Sequence, residues 1–164
     1  MTLSASRWQA IAESNFAWER EALEWLRSNL PDRDPWHVWS NFEFIDDEGK
    51  VNEVDALVLS PAGLFLVEIK SRPGVLRGDA HSWTWTTDGR SSTYDNPLIL
   101  ANRKAKRLAS LLRRQPSIVK GKIRLPFVEP AIFLSSTSLS CRLEGLARSA
   151  TFQQGRPGTL DDPG

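Results

Sequence analysis

Among its 164 residues the sequence has a single cysteine, Cys141, and two histidines, His37 and His81. One cysteine excludes an internal disulfide and a cysteine-rich zinc site, and it agrees with a reducing cytoplasmic setting. Long apolar runs are missing too. Nothing approaches the roughly 18 uninterrupted apolar residues of a membrane span. The N-terminal segment carries Glu13, Glu19, Arg20, Glu21 and Glu24, which is unlike a signal peptide. There is no glycine-rich phosphate loop, no zinc-protease helix motif and no internal repeat.

What is present suits one globular domain with a real core: 40% hydrophobic and 25% charged residues. The net charge is +1, but it is unevenly spread. Residues 1–95 hold 16 acidic and 9 basic side chains, whereas residues 96–128 hold 9 basic and no acidic ones. An acidic front is followed by a concentrated cation.

Ser14 to Leu30 reads as a helix, with Phe16, Leu23, Leu26 and Leu30 on one stripe at ~100° per residue. Glu19 falls inside that stripe, while Glu21 and Glu24 fall off it. A carboxylate on the core side needs a partner, because burying an unpaired charge is costly; at the stripe's edge it would instead reach solvent. Strand-like runs follow at His37–Ile45, Val51–Leu59 and Leu64–Lys70, the first two joined by the turn Asp46-Asp47-Glu48-Gly49. Ser60-Pro61-Ala62-Gly63 has a type I turn signature, so the second and third runs form a hairpin. Another short strand is expected at Ser82–Thr87.

Asp95-Asn96-Pro97 opens a second helix running to about Gln115, with proline at a position where its missing N–H costs nothing. Its apolar face carries Leu98, Ala101, Ala105, Leu108, Ala109 and Leu112. Arg103, Lys106, Arg107, Arg113 and Arg114 lie opposite, with Lys104 towards the flank. A loop with Lys120, Lys122 and Arg124 leads to a strand at Phe127–Ser135. Ser136–Thr151 is ambiguous, and 153–164 has linker composition. The order of elements gives an α/β (α+β) fold, a mixed sheet flanked by helices.

Side chains alternate along a strand, so Glu68 and Lys70 share a face. With Pro61 and Ala62 at the turn's centre, hairpin partners sum to 123 and Asp55 stands opposite Glu68; a bulge would shift that register by one. Facing carboxylates repel, so a cation is expected between them. Lys70 is one candidate, and a hard divalent ion, Mg²⁺ or Mn²⁺, is another. Six cations between Arg103 and Arg114 without an acid favour contact with a polyanion over a merely solvated face. The tryptophans, Trp83 and Trp85 included, are read mainly as core material. Cys141 is read as a small buried hydrophobe, and both histidines as structural or exposed.

Asp55 with Glu68-Ile69-Lys70 resembles the core of the PD-(D/E)XK nucleases. The longer segment from Asn52 to Gly74 is similar to the central block of the nuclease-related domain, the NERD family. The likeness extends from Trp18 to Ser135, with Trp18-Glu19-Arg20-Glu21-Ala22-Leu23-Glu24 similar to the family's first helix and Asp95-Asn96-Pro97 to its Asn-Pro segment. Trp39-Ser40-Asn41-Phe42-Glu43-Phe44 and Asn102-Arg103-Lys104-Ala105-Lys106-Arg107-Leu108 look most like members at the front of large protein kinases of phage-growth-limitation (BREX-type) bacterial defence systems.

This resemblance implies a restriction-endonuclease-like domain over 1–152 and a linker at 153–164 leading to a kinase. It implies metal-dependent phosphodiester hydrolysis, of DNA ahead of RNA. Asp55, Glu68, the Ile69 carbonyl and Glu19 would hold Mg²⁺ or Mn²⁺, and Lys70 would stabilise the attacking hydroxide or the charge on phosphorus. Arg103, Lys104, Lys106, Arg107, Arg113, Arg114, Lys120, Lys122 and Arg124 would contact the nucleic-acid backbone. The other reading is an idle nuclease fold that senses nucleic acid or protein, other defence proteins included, and positions the kinase. Many members carry glutamine four residues after the asparagine of Asn-Pro, and here that place is Leu100.

Overall fold

Two mixed sheets share one long helix. In the computed structural model, which describes residues 2–154, the chain runs β1 (Trp8–Ala10), α1 (Ala17–Asn29), β2 (His37–Ile45), β3 (Val51–Ser60), β4 (Gly63–Lys70), β5 (Gly74–Gly78), β6 (Ser82–Thr87) and β7 (Arg90–Asp95). It continues with α2 (Pro97–Arg113), α3 (Pro116–Lys120), β8 (Val128–Leu134), β9 (Leu139–Cys141), a 3-10 turn at Gly145–Arg148 and β10 (Thr151–Gln153). The larger sheet has the order β1-β2-β3-β4-β8-β10 and the smaller β7-β6-β5-β9. The mixed α/β class expected from the order of elements is the one observed.

Of the expected linker, residues from 155 onward lie outside the described residues, and Gln153 belongs to β10, paired with Leu134. The segment read as a loop before β8 contains the short helix α3. Among the described residues, no helix is long and apolar enough to cross a membrane.

The larger sheet separates two apolar layers. On one face α1 lays Ala22, Leu23 and Leu26 against Val38, Ala56, Val58, Val67, Ile69 and Phe133. On the other, α2 lays Ala101, Ala105 and Leu108 against Leu57, Leu64, Leu66 and Ile132, and the small sheet closes that layer with Leu76, Trp83 and Trp85. Trp83 is wholly buried, its indole N–H donating to the Ala147 carbonyl at 3.1 Å, and Cys141 lies in the same layer. The core role expected for Trp83, Trp85 and Cys141 is what the fold gives them. α2 starts where the sequence places it: the Asn96 side chain accepts from the Leu98 N–H at 3.0 Å and Pro97 follows.

The β3–β4 hairpin has the expected register. Ser60 pairs with Gly63, Leu57 with Leu66 and Ala56 with Val67, and there the ladder stops. β2 and β3 break at the same level, since Ser40–Ala56 and Phe42–Val54 are paired and the Asn41–Asp55 pair between them is skipped. Asn41 absorbs the break at φ +55°, a conformation asparagine tolerates better than most residues. Across it the faces invert. Trp39 and Leu57 point to the α2 layer on one side of the break, and Phe42, Phe44 and Val54 do so on the other. Asp55 therefore sits where the ladders on both of its edges open.

Candidate carboxylate site

The opened ladder is closed by a side chain. The Ile69 N–H, left without a strand partner on β3, donates to Asp55 Oδ2 at 2.8 Å. Glu68 lies beside it on β4, and α1 delivers Glu19 from the opposite layer. Only 7% of Glu19 is exposed, so the helical stripe predicted its inward face correctly. Its Oε1 has no hydrogen-bond partner.

The electrostatics mark these three carboxylates as one cluster. Burial, then the charge of Glu68, push Asp55 up to about 7; Glu19 adds to this, while the Ile69 N–H and Lys104 pull the other way. Glu19 is also raised, first by burial and then by Glu68 and Glu53, against the opposing pull of the Ser14 hydroxyl. Taking a charge out of water disfavours the charged form, and a like charge nearby disfavours it again.

The cation expected between Asp55 and Glu68 comes from a different element. Lys104 of α2 donates to Glu68 Oε1 at 2.9 Å and to the Glu53 carbonyl at 2.8 Å. Both side chains of this ion pair are only 14% exposed. Lys104 is thus turned into the site and off the solvent-facing basic strip in which the sequence reading had grouped it. The signal was its place at the flank of the apolar stripe. Lys70 ends β4 exposed and lines a groove of ≈ 330 Å³ together with Glu68, Asn96, Leu100 and Arg103. Leu100 therefore borders the carboxylate groove.

The remaining cations fall into two sets. Arg107 reaches Asn52 Oδ1 at 3.3 Å and Asp46 Oδ2 at 3.6 Å, and Arg114 pairs with Asp47, so these two tie α2 to the β2–β3 turn. Arg103, Lys106 and Arg113 are exposed and have no carboxylate partner among the described residues. Lys106, Arg113 and Arg124 line a separate groove of ≈ 400 Å³ with the exposed ring of Phe127, while Lys120 and Lys122 are exposed beyond it.

A divalent cation suits the chemistry of the cluster. The donors are hard oxygens, the carboxyls carry excess negative charge, and Glu19 has an orphaned buried oxygen. No three His, Cys, Asp or Glu groups among the described residues are close enough to enclose a metal together. Asp55 and Glu68 are thus the pair to which an ion could bind, completing its shell with water as Mg²⁺ commonly does. Ile69 engages the cluster through its N–H; its side chain is buried in the α1 layer.

A strand pair thus opens onto carboxylates with a lysine following on the same strand. The family model of the nuclease-related domain (NERD) matches residues 14–135, and the chain belongs to that family. A curated relative, "Probable kinase PglW" of Streptomyces coelicolor (strain ATCC BAA-471 / A3(2) / M145), is 50% identical over 107 residues, 65% of this chain. The match spans 7% of that relative's length. No solved structure matches.

Proposed function

We propose that the domain is a metal-dependent phosphodiesterase acting on nucleic acid, with DNA ahead of RNA as substrate. The observation that carries this reading is the juxtaposition of Asp55 with Glu68 on neighbouring strands, with buried Glu19 raised by the same charge, where the sheet's hydrogen bonding has been given up. Sheets do not collect carboxylates without a partner for them. Asp55 and Glu68, with Glu19 and the Ile69 carbonyl beside them, would hold Mg²⁺ or Mn²⁺. Such an ion supplies Lewis acidity to a phosphate and lowers the pKa of a bound water. Lys70, exposed at the groove, would stabilise the negative charge gathering on phosphorus. Arg103, Lys106 and Arg113, with Lys120, Lys122 and Arg124, would hold the phosphate backbone without reading its sequence. Because the relative is named as a kinase and is far longer than this chain, we further infer that the domain works in the cytoplasm at the front of a kinase polypeptide in bacterial anti-phage defence, ahead of a linker beginning after β10.

Plasmid nicking tests the activity. It should require Mg²⁺ or Mn²⁺, stop with EDTA, and fall by about 10²–10³-fold in Asp55→Ala and Lys70→Ala, while gel-shift binding persists. Absence of cleavage of plasmid and of single-stranded oligonucleotide alike, by wild-type protein at high concentration, would remove the hydrolase. Two observations favour a second reading in that case, an idle fold that binds nucleic acid or protein and positions the kinase. Leu100 stands in the groove where a water-orienting glutamine is usual, and the Lys104 ammonium already neutralises Glu68.

A further inference from the structure

The carboxylate groove does not end at Lys70. Lys70, Tyr94, Asp95 and Pro97 line it and also line a second depression of ≈ 440 Å³, whose other walls include Trp18, Arg72 and Trp85. Two of those rings are open to solvent, Trp18 at 40% and Tyr94 at 51% exposed. Trp18 precedes Glu19 in the first turn of α1, and successive side chains on a helix point ~100° apart. The turn that sends Glu19 inward therefore leaves Trp18 at the rim. Phe16 stacks on Trp18 with ring centroids 5.6 Å apart. Arg72 lies over both Trp85 and Tyr94, 5.7 and 5.4 Å from their centroids, which fixes a planar cation in the wall. Trp18 and Tyr94 differ from wholly buried Trp83, because they are exposed and line a groove that already carries Lys70 and Arg72.

We infer that this depression receives an unstacked base of a single-stranded nucleic acid, with the adjoining backbone led past Lys70 to the carboxylates. The inference rests on the nuclease reading and narrows it: the substrate is a single strand, a flap or a frayed end in preference to an intact duplex. A base inside a duplex shows only its edges to a protein, whereas an unpaired base offers a face to Trp18 and Tyr94. Stacking of this kind is indifferent to sequence, in keeping with a site whose other cations address phosphate. Asp95 and Glu68, the acids of these walls, would face sugar and metal and not the base.

The test is a binding titration in EDTA, where hydrolysis is off. The 164-residue chain is titrated into a short fluorescein-labelled oligothymidylate, and separately into a blunt duplex of equal length, with anisotropy as the readout. The single strand should bind about tenfold more tightly, and Trp18→Ala and Tyr94→Ala should each weaken it about tenfold while leaving the duplex unchanged. Trp18→Phe should retain most of the binding, and circular dichroism on each variant separates a lost ring from a lost fold. Equal affinity for the two forms, or a preference that survives both alanine variants, overturns the inference, as would tighter binding of a peptide than of either oligonucleotide. Addition of Mn²⁺ to the same mixtures tests the underlying reading separately. Aromatic-dependent single-strand binding without cleavage keeps the base site and removes the nuclease; cleavage that is equal on duplex and indifferent to Trp18 does the reverse.

Discussion

The protein has two acidic regions beside the same basic helix, and they are built to opposite ends. At the β2–β3 turn, Asp46 accepts from the Asn52 side chain at 3.0 Å and from the N–H groups of Glu48 and Lys50 at 2.9 and 3.0 Å, with Arg107 alongside. These donors, the Asn52 amide first, hold its carboxyl below the usual range. At the opened ladder, Asp55 and Glu19 are pushed up, one oxygen has no partner, and a single ammonium serves the cluster through Glu68. An acid whose lone pairs are all used is there for structure. On the proposed reading, acids gathered with too few donors are held for a cation that arrives later.

Removing charge from the second region gives the largest expected effect, and its sign depends on pH. Asp55 is raised from its ordinary value to about 7, so the folded state binds a proton more tightly than the unfolded chain. Stability is therefore fully present below about pH 4, and falls as pH rises through the folded value near 7. Asp55→Asn keeps an oxygen for the Ile69 N–H and removes the charge. It should be near neutral at pH 4 or below, stabilising by about 1 kcal/mol at pH 5 and by about 2–4 kcal/mol at pH 8, read from urea unfolding at these values. Destabilisation at pH 8 would mean that the cluster is as well satisfied as the turn.

Lys104→Met sharpens the contrast from the other side. It takes away the cation paired with Glu68 and should destabilise the domain by about 2 kcal/mol at pH 8, measured without divalent ions. Mn²⁺ should then recover more stability in this variant than in wild type, because the metal and the ammonium answer the same excess charge. A loss that Mn²⁺ leaves untouched would make Lys104 a plain structural residue. At the turn, Asn52→Ala removes a buried amide that donates to Asp46 and to the Lys50 carbonyl. Its cost should be about 1–2 kcal/mol, equal at pH 5 and pH 8, and insensitive to Mn²⁺.

Much of this was readable from the chain because local chemistry decided it. Ser60-Pro61-Ala62-Gly63 closes a two-residue turn, so counting from its centre gave the observed pairing of Leu57 with Leu66, while the expected Asp55–Glu68 pair falls one step past Ala56–Val67, where the ladder ends. The period of α1 placed Glu19 inside, and Asn96-Pro97 placed the start of α2. What escaped depended on distant partners. β5 pairs with β9 and β8 with the three residues of β10, and segments that short have no usable period of their own. The inversion at Asn41 and Asp55 needs both strands to break at one level, which no single run announces. The cation beside Glu68 was expected from electrostatics, with Lys70 and a divalent ion as the candidates, and the structure adds a third, Lys104. Lys70 follows Glu68 along the strand, yet Lys104 reaches it because the α2 layer covers that face of β4.

The basic helix repeats the same division at smaller scale, and Arg113 and Arg114 put it into adjacent residues. Arg114 is committed to Asp47, whereas Arg113 borders the groove of Lys106, Arg124 and Phe127. If the open stripe carries the polyanion contact, Arg113→Ala should reduce the slope of log affinity against log salt by about 0.7–0.9 for an oligonucleotide. Arg114→Ala should leave that slope alone, because its charge is already balanced within the protein. Since that pair is well exposed, its loss should change stability by no more than about 0.5 kcal/mol. Equal salt effects from the two would show that the Asp47 pair opens when a phosphate approaches, and the line between structural and available charge would then run through neither helix face but through the strength of each partner.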